Sequence, residues 1–189
     1  MGALDDGERI RAADAAAWRA WLDEHHTRPN GVWLLSVRGN ATAGVGYEDA
    51  VQQALCFGWI DGPVRTFDDE TVGQWFSPRR PGSGWAATNK ARLVLLEEQG
   101  LLAPAGIRAV EVAKANGSWT MLDGPEAGIE PDELTAALDA NPAARAAWDA
   151  FPPSARKLGL THIATAKRPE TRAARIVKIV ADAAEGRRP

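Results

Sequence analysis

The thirty residues from Cys56 to Trp85 contain the only cysteine, three of the eight tryptophans, four acidic side chains and three arginines. Asp61 is the first candidate, and it directly follows the apolar pair Trp59 and Ile60. A carboxylate in apolar surroundings is paired or hydrogen-bonded, or else its pKa rises, and a raised pKa suits a general acid or base. Asp61 is therefore a candidate for a salt bridge, for a ligand contact or for acid/base catalysis.

The segment PRRPGSGW, residues 78–85, indicates an anion site. It stands between a predicted strand and a predicted helix, and Ser83 can cap that helix. The free amides of a helix start, next to the guanidinium of Arg79, are suited to phosphate, sulfate or carboxylate. The alternative is a capped helix whose arginines bond backbone carbonyls or pair with Asp61 or Glu70.

Neither a nucleophile nor a cofactor is indicated. Cys56 falls at the carboxyl end of a predicted helix, where the helix dipole disfavours a thiolate, so we expect a buried and inert thiol. The three histidines and one cysteine show no metal-ligand spacing. The sequence contains neither a dinucleotide fingerprint nor a Walker phosphate loop. We therefore expect no metal and no cofactor.

The composition is that of a soluble globular protein, with 189 residues, 45% hydrophobic side chains and a net charge of −3. The start, MGALDDGERI, lacks the basic residues and apolar run of a secretory signal, and no stretch has the length of a membrane span. A single cysteine excludes an internal disulfide. We expect a cytoplasmic protein that does not bind membranes. Its carboxy-terminal part is basic, but without interleaved aromatic residues it does not predict nucleic-acid binding.

The elements that must position these residues follow from the spacing of apolar side chains. Helical spacing begins after Asp14 and again at Tyr47, and Gly58 is placed to end the second helix in a left-handed conformation. Between these two helices, GVWLLSVRG predicts a central strand. Residues 60–77 predict a hairpin that turns at residues 68–70.

The register of this hairpin decides which side chains share a face. If two aspartates, Asp68 and Asp69, form the turn, then Asp61, Arg65 and Gln74 lie on one face, and Trp75 lies on the other. A shift of the register by one residue would move the side chains of one strand to the opposite face.

The fold class predicted by these elements is α+β: a small antiparallel sheet of about three strands with packed helices, followed by a helical carboxy-terminal part. Residues 1–116 form the α+β domain. Residues 117–131, rich in glycine, proline and acidic residues, form a linker. Residues 132–189 form a helical subdomain, because four helical patterns follow one another there.

In this arrangement, tryptophans form the walls of a pocket for a polar or anionic small molecule. Asp61 is the candidate catalytic residue. The candidate ligand contacts are Trp59, Arg65, Gln74, Trp75, Arg79, Ser83, Trp85 and Asn89. The alternative for each tryptophan is a place in the hydrophobic core.

Three motifs, ALCFGWIDG, FSPRRPGSGWAATN and AKRPETRAARI, resemble the YdeI/OmpD-associated family, also labelled bacteriocin-protection proteins. The resemblance runs from Trp18 to Gly186. It assigns the following residues to the family pattern: Cys56, Gly58, Trp59, Ile60, Asp61, Gly62, Pro78, Arg79, Ser83, Trp85, Asn89, Ala166, Lys167, Thr171 and Arg172. Where the family commonly has an arginine before its Phe-Ser/Thr-Pro-Arg run, this sequence has Trp75. The family name implies resistance to bacteriocins or envelope stress.

Three functions are compatible with these observations. The first is a stress- or toxin-resistance protein that binds a small molecule in the tryptophan and arginine pocket and sequesters it. The second is a cofactor-independent hydrolase or isomerase, with Asp61 as acid or base and Arg79 stabilising negative charge. The third is a nucleic-acid or protein adaptor that uses Lys167, Arg168, Arg172 and Arg175.

Overall fold

The structure, a computed structural model, describes residue 4, residues 6–39 and residues 44–189. The chain divides into two compact units. The first unit takes Met1–Ser83 and Thr88–Asn116, and the second takes Gly84–Ala87 and Gly117–Pro189.

The first unit contains one mixed sheet. Its strands in the described part of the chain are β1 (Glu8–Ile10), β2 (Val32–Val37), β3 (Trp59–Thr66) and β4 (Thr71–Pro78). Their spatial order is β1-β2-β4-β3; β1 runs parallel to β2, and the other neighbouring strands are antiparallel. The predicted α+β class is confirmed. We expected about three antiparallel strands. The sheet has a fourth strand, β1, which is too short to show alternation in the sequence.

Four helices of the first unit, counted over the described residues, are α1 (Ala15–His25), α2 (Tyr47–Cys56), α3 (Ala87–Glu98) and α4 (Pro104–Ala115). The first residue of α3 belongs to the second unit. Asp14 caps α1, because its carboxylate accepts a hydrogen bond from the amide of Ala17 at 2.8 Å. Gly58 has φ of +74°, which confirms the predicted left-handed end of α2.

The core of the first unit is aromatic where α1 packs on the sheet. The ring of Trp18, fully buried, stacks on Trp21 and lies 5.3 Å from the ring of Phe76 in β4. Trp59 of β3 meets Trp21 edge to face. Its buried indole donates to the carbonyl of His26 at 3.0 Å. Tryptophan therefore stabilises this interface with both its apolar ring and its N–H group.

A β-bulge changes the hairpin register that we expected. Asp61 pairs with Phe76 and Val64 pairs with Gln74, so two residues of β3, at 62 and 63, oppose the single residue Trp75. Pro63 has no N–H group for the ladder. At Gly62, an added Cβ would lie 2.8 Å from the ring of Trp75, so a side chain there has no room.

This bulge separates two residues that we had placed together. Directly opposed residues share a face, so Asp61 and Gln74 lie on one side of the sheet. Arg65, which opposes Gly73, lies on the other side. The turn also differs from the expected two-residue turn. The amide of Phe67 donates to the carbonyl of Thr71, so three residues lie between the paired positions.

The second unit is helical. Its helices are α5 (Asp123–Glu126), α6 (Asp132–Asp139), α7 (Pro142–Ala150), α8 (Pro153–Ala164) and α9 (Pro169–Ala184). The last four pack around a buried cluster that includes Leu134, Leu138, Trp148, Ile163 and Ile176. The four predicted helical patterns after residue 131 are confirmed. Residues 117–131, the predicted linker, contain α5 and group with this unit. Within the described residues, no helix combines the length and the apolar character needed to cross a membrane.

Candidate functional site

The three tryptophans that we expected around a pocket are buried. Trp59 is fully buried, Trp75 is 8% exposed and Trp85 is 2% exposed. Trp75 packs edge to face on Trp33 of the neighbouring strand. Trp85 belongs to the second unit, where its ring lies 5.3 Å from that of Trp119. Each ring therefore contributes to the packing of its own unit.

The structure does not bring Arg65 and Gln74 together. The Arg65 guanidinium lies over the ring of Phe67, 5.3 Å from its centre. The amide of Gln74 donates to the carbonyl of Gly62 at 2.6 Å, which ties it to the bulge. Both side chains are engaged by the hairpin itself.

Ser83 does not cap α3, because that helix begins four residues later, at Ala87. The amide of Ser83 instead closes a turn on the carbonyl of Arg80 at 2.9 Å. The amide of Ala87 donates to the carboxylate of Glu126 at 2.8 Å. The predicted anion position at this helix start is therefore taken by an acidic side chain of the second unit.

Asp61 does lie in a polar environment within the first unit. Its Oδ2 accepts a hydrogen bond of 2.9 Å from the hydroxyl of Tyr47, the first residue of α2. Burial, followed by this hydrogen bond, raises the pKa of Tyr47. The tyrosine is 54% exposed, so the pair is open to solvent on one side.

Arg79 is the arginine that we expected in an anion site. It follows the last residue of β4, and its backbone amide donates to the carbonyl of Gly58 at 2.9 Å. Burial lowers the pKa of the Arg79 guanidinium to about 10, and the negative charge of Asp61 acts in the opposite direction. A guanidinium removed from water interacts strongly with any charge close to it.

A second arginine, which the sequence analysis missed, completes the arrangement. Arg92 of α3 binds both carboxylate oxygens of Glu48, at 2.8 and 2.6 Å, and donates to the amide oxygen of Asn89 at 2.8 Å. Hydrogen bonds to Glu48 raise the pKa of Arg92, and the charge of Asp61 adds to this. Asn89 itself is 8% exposed.

The six residues of this arrangement come from four separate elements or their ends. We call them the Asp61 cluster: Tyr47, Glu48, Asp61, Arg79, Asn89 and Arg92. Their side chains offer two carboxylates, two guanidiniums, one hydroxyl and one amide, and so can hold a molecule that has both donors and acceptors. A signal for Arg92 was present in the sequence, because Asn89 and Arg92 are one helical turn apart.

Cys56 lies outside this cluster. It is fully buried at the end of α2, and burial raises the pKa of its thiol. A raised pKa keeps the thiol protonated and unreactive. Among the residues that the structure describes, no three histidine, cysteine, aspartate or glutamate side chains come together to hold a metal ion.

The basic side chains proposed for an adaptor are partly engaged within their own unit. Arg172 pairs with Glu133 at 3.3 Å. Arg175 donates to the carbonyl of His162 and to the hydroxyl of Thr165. These contacts stabilise the helical unit and give no specific support to nucleic-acid binding.

Two family comparisons match the chain. Residues 10–109, just over half of the chain, match a family described as a domain of unknown function, DUF8412. Residues 128–186 match a family described as bacteriocin-protection, YdeI or OmpD-associated. Comparison with curated proteins and with solved structures gave no significant match.

The two matches divide the three motifs between them. ALCFGWIDG and FSPRRPGSGWAATN fall within the first match, and AKRPETRAARI falls within the second. The YdeI/OmpD-associated resemblance is thereby confirmed for the helical unit, and the Asp61 cluster falls in the other match. The chain therefore belongs to the DUF8412 family, and its residues 128–186 match the YdeI/OmpD-associated family.

Proposed function

We propose that the protein binds a small polar molecule at the Asp61 cluster. The observation that carries this proposal is the carboxylate of Asp61, which accepts a hydrogen bond from an exposed tyrosine hydroxyl and lies within electrostatic reach of two guanidiniums, those of Arg79 and Arg92. Groups with shifted pKa values that lie together, here Tyr47, Glu48, Arg79 and Arg92, are candidates for a functional site.

The chemistry of the cluster defines the ligand. The carboxylate of Asp61 can accept from a donor of the ligand, and a guanidinium such as that of Arg79 can donate to an acceptor of the ligand. A molecule that carries both, such as an amino acid derivative or an amide, fits better than a simple anion. Glu48 and Arg92 bind each other through two hydrogen bonds, so they hold the wall of the site in place.

Binding is favoured over acid/base catalysis. The raised pKa of Tyr47 keeps its hydroxyl protonated at neutral pH, so this residue can donate a hydrogen bond but does not abstract a proton. In the enzymatic alternative, Asp61 is the only acid or base, and Arg79 stabilises negative charge.

A binding function is consistent with the description of the matched family, which names bacteriocin protection. A protein that holds a toxic molecule lowers its free concentration, and protection would follow from sequestration. We further propose the cytoplasm as its location, because the single cysteine, Cys56, is buried and free, as is usual in reducing compartments.

The test is a thermal-shift screen of small polar metabolites and antibiotics. A ligand at about one hundred times its Kd stabilises the folded protein by about 2.7 kcal/mol, which a melting curve resolves. We expect Asp61→Asn and Tyr47→Phe to weaken binding of any hit. Asp69→Asn makes the same charge change at an exposed turn and should leave binding intact.

Two results would contradict the proposal. The first is a parent protein that no compound stabilises; the second is a hit that binds Asp61→Asn as tightly as the parent. A change in mass of the bound compound on incubation, lost in Asp61→Asn while binding survives, would establish the enzymatic alternative instead.

A further inference from the structure

The second unit contains a cavity that the proposed function does not use. Its volume is about 390 Å³, which is in the range of small-molecule sites. It is lined by α5 and the turn after it, by Trp148 of α7, and by the first turns of α8. All of these residues belong to the second unit, so the cavity lies within a single compact body.

The carboxylates in the cavity lining are already engaged. Glu126 accepts a hydrogen bond from the amide of Ala87 at 2.8 Å and pairs with Lys157 at 3.3 Å. Glu130 accepts hydrogen bonds from Arg145, at 2.8 and 2.9 Å, and from the indole of Trp148 at 2.8 Å. The acidic side chains of the lining are therefore neutralised within the unit itself.

Arg156 is the exception. Arg156 lines the cavity and is only partly buried, but its Nε is buried and has no hydrogen-bond partner among the described residues. A buried N–H group without an acceptor costs free energy. A carboxylate bound to this guanidinium would supply negative charge beside the unsatisfied group.

The backbone beside Arg156 has the same polarity. α8 is twelve residues long, and it begins after Pro152 without a side-chain cap. Ser154, in its first turn, lines the cavity. The amino end of a helix carries partial positive charge and favours an anion. Two features of one cavity, the guanidinium and the uncapped helix start, therefore favour a negatively charged ligand.

The rest of the lining is apolar. Pro125, Trp148 and Leu160 are buried behind the lining, and the accessible carbon surface comes from Ala127 and Pro153. An inorganic ion would leave this surface uncovered, whereas an organic body would cover it.

We infer that this cavity binds a small organic carboxylate, with the carboxylate on the guanidinium of Arg156 and the apolar body against Ala127 and Pro153. A planar guanidinium binds a carboxylate through two parallel hydrogen bonds. This site is separate from the Asp61 cluster, and most of its lining belongs to the residues that match the YdeI/OmpD-associated family.

The test titrates the full chain with benzoate, with its neutral analogue benzamide, and with inorganic phosphate, followed by melting temperature and by backbone amide chemical shifts. We expect benzoate to raise the melting temperature, and its shifts to centre on the first turn of α8. Benzamide should bind about tenfold more weakly or not at all, because it lacks the charge.

The decisive variant is Arg156→Gln, with Arg168→Gln as its matched control on an exposed position of the same unit. Arg156→Gln should weaken benzoate binding about tenfold or more, and Arg168→Gln should not. Without benzoate, the melting temperature of Arg156→Gln should equal or exceed that of the parent, since the substitution removes a buried N–H group that has no acceptor. A purely structural arginine would give a lower melting temperature.

Three results would overturn the inference: no saturable benzoate effect, unchanged benzoate binding in Arg156→Gln, or tighter binding of phosphate than of benzoate. The Asp61→Asn variant should bind benzoate like the parent. Loss of benzoate binding in that variant would also contradict the inference, because it would mean that the carboxylate uses the other site. Failure of the Asp61 screen leaves the benzoate result unaffected.

Discussion

Three arginines of this chain show how surroundings decide what one side chain does. Arg145 lies between two carboxylates, and the hydrogen bonds that it donates to Glu130 raise its pKa. Burial lowers the pKa of Arg79 to about 10. Arg156 has a buried Nε without an acceptor among the described residues. The first stabilises the fold, whereas the other two belong to the two ligand sites that we propose.

The ion pair of Glu48 and Arg92 predicts a specific pH dependence. Hydrogen bonds from Arg92, followed by one from Gln52, lower the pKa of Glu48 from 4.5 to about 2. A carboxyl group whose pKa is lower in the folded state stabilises the fold above its unfolded pKa, and this stabilisation is lost as the pH falls through the folded pKa. The contribution is therefore present at neutral pH and disappears between about pH 4.5 and pH 2.

We expect Glu48→Gln to lower the free energy of unfolding by about 0.5 to 1 kcal/mol at pH 7, since half of the Glu48 side chain is exposed and solvent screens the pair. The difference from the parent should shrink as the pH is lowered toward 3. Urea unfolding at several pH values measures it. Glu97→Gln, on the exposed side of α3, should show no such trend. A difference that grows in acid would contradict the assignment.

Sequence reasoning at the residue scale identified Asp61 and Arg79 but missed Tyr47 and Arg92. Asp61 and Arg79 could be predicted from the sequence because each stands at a boundary between elements. Their partners could not be predicted, because Tyr47, for example, is fourteen residues from Asp61 along the chain. Only the packing of α2 and α3 brings these residues together, and helix packing is not encoded in local spacing.

At the scale of elements, Glu130 connects a loop of the helical unit to one of its helices. It lies in the loop before α6, yet it binds Arg145 and the indole of Trp148, both on α7. Arg145 as the main partner lowers the pKa of Glu130. Only 18% of the Glu130 side chain is exposed, so its hydrogen bonds are protected from water.

We expect Glu130→Gln to reduce the stability of the second unit by about 2 kcal/mol, because the indole and guanidinium lose their charged acceptor. Asp149 contacts the same Arg145, but 56% of its side chain is exposed. Asp149→Asn should therefore cost less than about 0.5 kcal/mol. Urea unfolding of the two variants, followed by circular dichroism, tests the difference. Equal losses would show that burial does not set the strength of this interaction.

Helices were more predictable than strand register at this scale. The spacing of apolar residues located α1, α2 and the four helices after residue 131, since amphipathic helices carry a strong period. The bulge opposite Trp75 was not visible, because one extra residue leaves the alternation on each side intact. We placed the start of α3 too early because Ser83 has a side chain that can cap a helix. The helix begins at Ala87, whose amide donates to the carboxylate of Glu126, a residue far along the chain.

At the scale of the whole molecule, the division into units and the family matches nearly coincide. Residues 128–186 lie entirely within the second unit, and residues 10–109 lie in the first, except for Gly84–Ala87. That short segment packs with the second unit: Trp85 lies on Trp119, and an added Cβ at Gly84 would meet Leu122 at 2.8 Å.

We therefore expect Trp85→Ala to destabilise mainly the second unit, by about 3 kcal/mol or more, because it removes a large buried ring. Hydrogen exchange should accelerate across residues 117–189 and change little in α1 and α2. A uniform increase in exchange over both units would show that the chain unfolds as one cooperative body.

The bulge in β3 also has a consequence for how the protein behaves at high concentration. β1 and β3 are the two outer strands of the sheet, and outer strands can recruit a strand from another chain and start aggregation. β3 carries a proline and a kink within its length, and β1 is only three residues long, with a charged pair at Glu8 and Arg9. The same irregularity that sets the face of Arg65 thus protects the sheet against growth by addition of a foreign strand.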